Sequence, residues 1–435
     1  MNVLLIGSQT SLKTEDMKGL VAPCLGLRRL QSYLREHGHR CDVVNPAIHN
    51  THAYLQAHAK NYDIIGFSLL HASLEHDLNM MWIAHGFNPQ AQIVAGGVEA
   101  TLNPQVQEYA PPETKIVYGE GELPLLALCN GEKNVSLHQP LTEQQFREAN
   151  LNMDFTAIPY KRLWHETKTR HPAISTRDAQ TVRMITSSHC PMNCRFCSSS
   201  RFLQGPPKYL TARDITTLVY RISDQQPRTQ QIFFQDDNFL LGYSGKQRAK
   251  QLATQLNPPF PLMAQCRLDD VVDAIPYLHN FHRVSVGVES FSQNILDEFH
   301  KNLDADQIDS GLTEILEAGL NVFVNIILTS PNCTRKDVEH TIEKCWEWMG
   351  KGVQFGISLY VIAFPGSDMA QQEKVTYKTV RVPASGAKFL KMDKILPKDV
   401  ELAEKILKVE KQLEGEVLPS HLRSEAIIKL MEVNT

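Results

Sequence analysis

Two successive blocks of short apolar runs alternating with helical stretches constrain this chain more than any other feature. In the first block "NVLLIG" (2–7), "CDVVNP" (41–46), "YDIIGFS" (62–68), "AQIVAGGVEAT" (91–101) and "KIVYGEGE" (115–122) read as buried parallel strands. Between them lie stretches with helical spacing, such as "LGLRRLQSYLREHG" (25–38), which stops at a glycine. Such repeated β-α units predict a doubly wound, Rossmann-like parallel sheet. The alternation restarts at Val182, with strands at "VRMITSS", "QIFFQD", "PLMAQC", "RVSVGVES", "NVFVNIILTSP" and "VQFGISLYVIAFP". Helical stretches such as "TARDITTLVYRIS" and "TRKDVEHTIEKCWEWM" separate them. Six β-α repeats predict a full or partial (β/α) barrel, whose sites lie at the C-terminal strand ends.

The chain divides accordingly into 1–135 (first α/β domain), 136–180 (a polar connecting segment with no readable chemistry), 181–369 (barrel) and 370–435 (a helical C-terminal extension). In the last part "PKDVELAEKILKVEKQLEG" is amphipathic, with Val400, Leu402, Ile406, Leu407 and Leu413 as apolar positions, and is expected to pack on the barrel. The length of 435 residues suits two domains. With 44 basic and 48 acidic residues, no electrostatic surface for nucleic acid is expected. The opening "MNVLLIGSQTSLK" has no basic n-region and an apolar run of four residues, so neither a signal peptide nor a membrane span is predicted, and a cytoplasmic location is expected. There the nine cysteines stay reduced, which disfavours disulfides.

Three of those cysteines fall within eight residues of "SSHCPMNCRFCSSS" (187–200): Cys190, Cys194 and Cys197, spaced C-x3-C-x2-C. They directly follow the first barrel strand and therefore sit at the barrel mouth. Structural zinc normally takes four protein ligands, often as two C-x2-C pairs, and here no fourth cysteine is near, although His189 adjoins. An iron–sulfur cube held by three thiolates leaves one iron open to an outside ligand. The remaining six cysteines are scattered and are expected to be small buried hydrophobes.

C-x3-C-x-aromatic-C after the first strand of a (β/α) barrel resembles the signature of the radical S-adenosylmethionine (SAM) superfamily. The resemblance spans roughly 182–369. It implies that Cys190, Cys194 and Cys197 hold a [4Fe-4S] cluster whose open iron chelates SAM, and that one-electron cleavage of SAM yields a 5′-deoxyadenosyl radical. Phe196 is then expected beside the cluster and the adenine. Asp236 and Asp237, ending the second strand, offer a carboxylate to the SAM ammonium, with a helix cap or loop salt bridge as the alternative. Arg267 ends the third strand and is expected to meet a carboxylate of SAM or substrate, or to form a structural ion pair. Glu289 and Ser290 end the fourth, near the SAM ribose and carboxylate.

The first block is similar to the cobalamin-binding domain that one subset of this superfamily carries. That likeness implies cobalamin at the C-terminal strand ends, with Gly66, Ser68, Gly96, Gly97, Gly119 and Glu120 as candidate contacts. The loop "GSQTSLKTEDMKG" lacks the D-x-H-x-x-G histidine that many cobalamin proteins present to cobalt. The resemblance implies methylation of an unactivated carbon on a small-molecule or peptide substrate, with an electron donor such as flavodoxin or ferredoxin. Radical cyclisation, rearrangement or bond formation without methyl transfer is the enzymatic alternative. A non-catalytic iron–sulfur or cobalamin carrier is the alternative of another class.

Overall fold

The computed structural model describes residues 1–8, 21–203, 205–414, 418 and 420–433. The loop that would carry a cobalt-binding histidine motif lies mostly outside the described residues. Strands β1 (Asn2–Ile6), β2 (Arg40–Val44), β3 (Ile64–Ser68), β4 (Gln92–Gly96) and β5 (Lys115–Ile116) form a parallel sheet in the order β2-β1-β3-β4-β5. Their runs are apolar on both faces because helices cover both, and Val3, Leu4, Leu5 and Ile6 are each at most 2% exposed. The order reverses between β1 and β3, and ligands in doubly wound sheets sit outside the strand ends at that reversal.

The second sheet is also parallel and open. It contains β6 (Thr181–Met184), β7 (Gln231–Phe234), β8 (Leu262–Arg267), β9 (Phe281–Glu289), β10 (Asn321–Ile327) and β11 (Gln354–Ser358), paired in chain order. It is the expected partial six-stranded barrel. Residues alternate along each strand. Val182, Met184, Ile232 and Phe234 pack under the helices, while Arg183, Phe233 and Gln235 face the concave side.

Two regions depart from expectation. Residues 136–180 are more than a connection. Helices Glu143–Leu151 and Tyr160–Arg170 and the short turn Phe155–Ala157 between them bury Phe146, Phe155, Tyr160, Leu163 and Trp164 in the barrel core. Their polar composition hides apolar anchors at helical spacing. The C-terminal extension is helical from Val400, but it begins with strands β13 (Val375–Val382) and β14 (Ala387–Ile395), and β14 also pairs antiparallel with β12 (Val361–Ile362) at the end of the barrel segment. That hairpin packs on the first domain: Val380, Val382 and Phe389 join its core, and the Phe389 ring stacks on Tyr109 at 4.2 Å. The helix Val400–Leu413 packs through Leu402, Ile406, Val409 and Leu413, whereas Val400 and Leu407 are exposed. Among the described residues no helix is long and apolar enough to cross a membrane.

Phe155 discriminates a packed layer from a linker. Phe155→Ala should cost about 3–5 kcal/mol, read as a lowered unfolding midpoint, because it removes a ring that is 0% exposed. A linker residue would cost less than about 0.5 kcal/mol.

Candidate active site

The cysteine loop leaves β6 and is closed at its base like a stem. Ser188 N–H donates to Lys208 O at 3.0 Å, Leu210 N–H to Thr186 O at 2.9 Å, and Ser187 bridges Tyr209. Asp236 explains why the strand end is rigid. Its carboxylate accepts from Thr186 N (2.6 Å), Ser187 N (2.9 Å) and the Thr186 hydroxyl, with the Arg248 guanidinium 4.0 Å away. Arg248 in turn donates to Thr186 O and Phe239 O. Asp236 is therefore committed to the backbone ahead of the cysteines, and its 2% exposure leaves no face for SAM. Its neighbour Asp237 is exposed at the mouth, and its charge acts on Cys190 and Cys197. The structure thus separates two carboxylates that the sequence offered as a pair.

The loop is fixed from its far side as well. Arg195 N–H donates to Phe299 O (2.9 Å), Arg195 Nη1 to Glu298 O (3.1 Å), and Met369 N–H to Arg195 O (2.9 Å). The Phe196 ring meets Phe299 edge-on at 5.0 Å, which pins the residue between Cys194 and Cys197. All three thiols are half-buried and free of disulfides, and Cys194 lies close enough to Cys190 and Cys197 to raise their pKa values. Burial is the main cause and pushes Cys190 up to about 11. Thiols so placed become thiolates only when a cation occupies the loop. Among the described residues no three His, Cys, Asp or Glu side chains converge as ligands of one metal ion do.

Cys194 faces a charged wall from strand ends β8 and β9. Arg267 and Lys301 act on it as cations and Glu289 as an anion. Arg267 holds Asp269 through Nε and Nη2 at 3.0 and 3.1 Å and donates to Asn302 O, but its buried Nη1 has no partner. An unsatisfied guanidinium N–H beside a half-buried thiol suits an anionic ligand there. Glu289 accepts from Lys301 Nζ at 2.9 Å and sits at φ 71°, a left-handed conformation costly for glutamate. Gly287 makes room for this pair: a Cβ there would lie 2.4 Å from Glu289 Oε1 and 2.9 Å from Lys301 Nζ. Ser290 turns inward instead. Its hydroxyl is fully buried, 3.0 Å from Thr341 Oγ1 and accepting from Ser292 N, so it shapes the strand end and does not reach the mouth.

A cavity of about 680 Å³ opens between the C-terminal ends of the two sheets. Gly66, Ser68, Gly96, Gly97, Gly119 and Glu120 all line it, as do Arg183 and Gln235 from the barrel. Gly97 has φ 91°, and a Cβ there would lie about 3 Å from Leu69 backbone atoms, so only glycine leaves this wall open. Glu120 has a second task. Its Oε2 accepts from Lys208 Nζ (2.6 Å) and Leu141 N (2.8 Å), which ties the first domain to the stem of the cysteine loop. Lys208, Arg248 and Lys301 escaped the sequence reading because their partners lie 9 to 88 positions away and none belongs to a motif.

Comparison with known proteins agrees with this layout. The radical SAM superfamily matches residues 184–345, and the B12 binding domain matches residues 19–129. An uncharacterized methyltransferase of Pyrococcus horikoshii is 23% identical over 454 residues, covering 99% of this chain and 94% of that one. The cobalamin-dependent radical SAM enzyme OxsB, solved with aqua-cobalamin and SAM, aligns with a TM-score of 0.71 at 14% identity over 100% of this chain and 71% of that one. The radical SAM methyltransferase TsrM from Kitasatospora setae, solved with cobalamin and a [4Fe-4S] cluster, aligns with a TM-score of 0.69 at 13% identity over all of both chains. At such identities the structural likeness is one of fold. The chain therefore joins a B12-binding domain to a radical SAM domain. It is a radical SAM enzyme; that domain implies SAM and a [4Fe-4S] cluster, and the B12-binding domain implies cobalamin.

The Glu120–Lys208 pair is 3% and 8% exposed, so removing one partner strands a charge. Lys208→Met should lower stability by about 3–5 kcal/mol. Adding Glu120→Gln should restore at least about 1 kcal/mol of that loss, read from thermal midpoints of the two variants.

Proposed function

We propose that this protein is a cobalamin-dependent radical SAM methyltransferase acting on an unactivated carbon of a small-molecule or peptide substrate. The observation that carries the reading is a cavity running from the glycine-lined strand ends of the B12-type sheet to the ends of β6 and β7, where Ser188, Phe202 and Leu203 flank the cysteine loop. Cys190, Cys194 and Cys197 would hold the cluster, and the cavity walls at Gly96, Gly97 and Gly119 would receive the corrin. The cofactors, when bound, supply the 5′-deoxyadenosyl radical and the methyl group.

The chain's own residues position and shield. Asp237 offers its carboxylate to the SAM ammonium, and Arg267 Nη1 is placed for a carboxylate. Glu289, held by Lys301, presents an oriented acceptor at the same wall. Phe196 closes the site from beneath with Phe299. The Asp236–Arg248 clamp keeps the loop from collapsing onto the strand end. The related methyltransferase of P. horikoshii and the TsrM fold support methyl transfer. A reductant such as flavodoxin or ferredoxin and a cytoplasmic setting complete the proposal, the latter consistent with nine unpaired cysteines.

Cys197→Ala should abolish 5′-deoxyadenosine formation and iron–sulfur absorption while the far-ultraviolet circular dichroism stays unchanged, since the ligand lies on a loop. Retained SAM cleavage in that variant would overturn the assignment. Asp237→Asn should weaken SAM binding about tenfold with no change in unfolding midpoint. Asp236→Asn should instead destabilise the fold by leaving Arg248 without its buried counter-ion. A product heavier than substrate by one methyl in place of hydrogen distinguishes methylation from cyclisation or rearrangement.

A further inference from the structure

The barrel sheet carries three arginines on its strands, Arg183 on β6, Arg267 on β8 and Arg283 on β9. Two are matched by carboxylates: Arg267 by Asp269 at 3.0 Å and Arg283 by Asp178 at 3.2 Å. Arg183 is not. Its neighbours are the Gln235 carboxamide oxygen at 3.3 Å and the Phe233 ring, 5.5 Å from ring centroid to guanidinium carbon. Among the described residues no carboxylate is within ion-pair reach of it, and Tyr160 is the one ionisable group acting on it.

The register explains where it points. Arg183 pairs with Phe233 across the sheet, and Val182 and Met184 on either side of it are buried under the helices. Its side chain therefore emerges on the concave face and lines the cavity with Gln235 and Ile185. Arg183 is half-buried there, and that burial lowers the pKa of the guanidinium to about 10, the direction expected of a cation partly withdrawn from water without a counter-ion. A charge held that way is unfavourable in the empty protein and becomes favourable once an anion fills the space.

We propose that Arg183, with Gln235 beside it, is the substrate's anion-binding residue, so that the substrate carries a carboxylate or phosphate group bound against the first barrel strand. The guanidinium fork matches either oxyanion through two parallel hydrogen bonds, while Gln235 orients the fork and Phe233 supports its face. The inference rests on the radical SAM reading for the nature of the chemistry, but not for the charge of the ligand. The phosphodiester in the tail of cobalamin is a second source of the same anion chemistry, so the test must separate the two.

The test uses the holoenzyme purified without oxygen, with benzoate and phenyl phosphate as anionic probes and benzamide as the neutral match, by isothermal titration. The wild type should bind the better anion at least about tenfold more tightly than benzamide. Arg183→Met should bring the ratio to about one, and Arg183→Lys, which keeps the charge without the fork, should retain an intermediate ratio. In a second titration, on protein purified from a host given no cobalamin, cobalamin and dicyanocobinamide, which lacks the phosphodiester, should bind Arg183→Met as they bind wild type. A ratio unchanged in Arg183→Met, or no preference for either anion in wild type, overturns the proposal. So does weakened cobalamin binding beside unchanged dicyanocobinamide binding, because the anion then belongs to the cofactor tail. If Arg183→Met does not fold, the Arg183→Lys ratio decides: equality with wild type overturns the assignment. A wild type that holds neither iron nor corrin contradicts the proposed function, and the benzoate–benzamide comparison in that protein still decides the role of Arg183.

Discussion

The buried ion pair between Glu120 and Lys208 is the tie on which the site depends. Each sheet alone offers half a site: the first a glycine-lined set of strand ends, the second a mouth with three thiols. The 2.6 Å contact fixes the spacing between them, because Glu120 lines the cavity and Lys208 pairs with Ser188, two residues before Cys190. A buried pair is a poor source of net stability, since desolvation offsets most of its attraction. Its value here is positional. A methyl group carried by one domain and a radical centre held by the other must meet within bonding distance, and reactivity falls steeply with misplacement.

Other contacts reinforce the same relation. The hairpin β13–β14 leaves the barrel and buries Val380, Val382 and Phe389 in the first domain, with Lys391 Nζ donating to His71 O at 2.7 Å. The helices of 136–180 serve both units: Phe146 and Trp164 fill the barrel core, and Arg28 of the first domain donates to Ala157 O. The two domains are thus held together by separate stretches of chain beyond the Glu120–Lys208 pair, which keeps the strand ends that line the cavity in register.

Much of this was legible in the sequence because its signals are local. Continuous apolar runs marked the parallel strands, since both their faces are covered. The spacing of Cys190, Cys194 and Cys197 marked the loop, and glycines after strands marked the cavity wall. The hairpin was less visible, although "VTYKTVRV" and "AKFLKMDKI" alternate on either side of "PASG", because its buried face is narrow and its lysines suggest solvent. Adjacent Asp236 and Asp237 were indistinguishable in sequence, because strand alternation alone does not say which of two residues at a strand end turns inward. The inward turn of Ser290 toward Thr341 was hidden in the sequence for the same reason. Arg183 carried no motif, and its isolation emerges only in the folded chain, where no carboxylate among the described residues comes within ion-pair reach of it.

The central claim is that one chamber between the two sheets holds corrin beside the cluster loop. The most direct measurement is the iron and corrinoid content of the protein purified without oxygen from a cobalamin-fed host. The account predicts about four iron and about one cobalamin per chain. Iron at that level with no corrin would contradict it, reducing the first sheet to a scaffold and removing methyl transfer from the chemistry of this cavity.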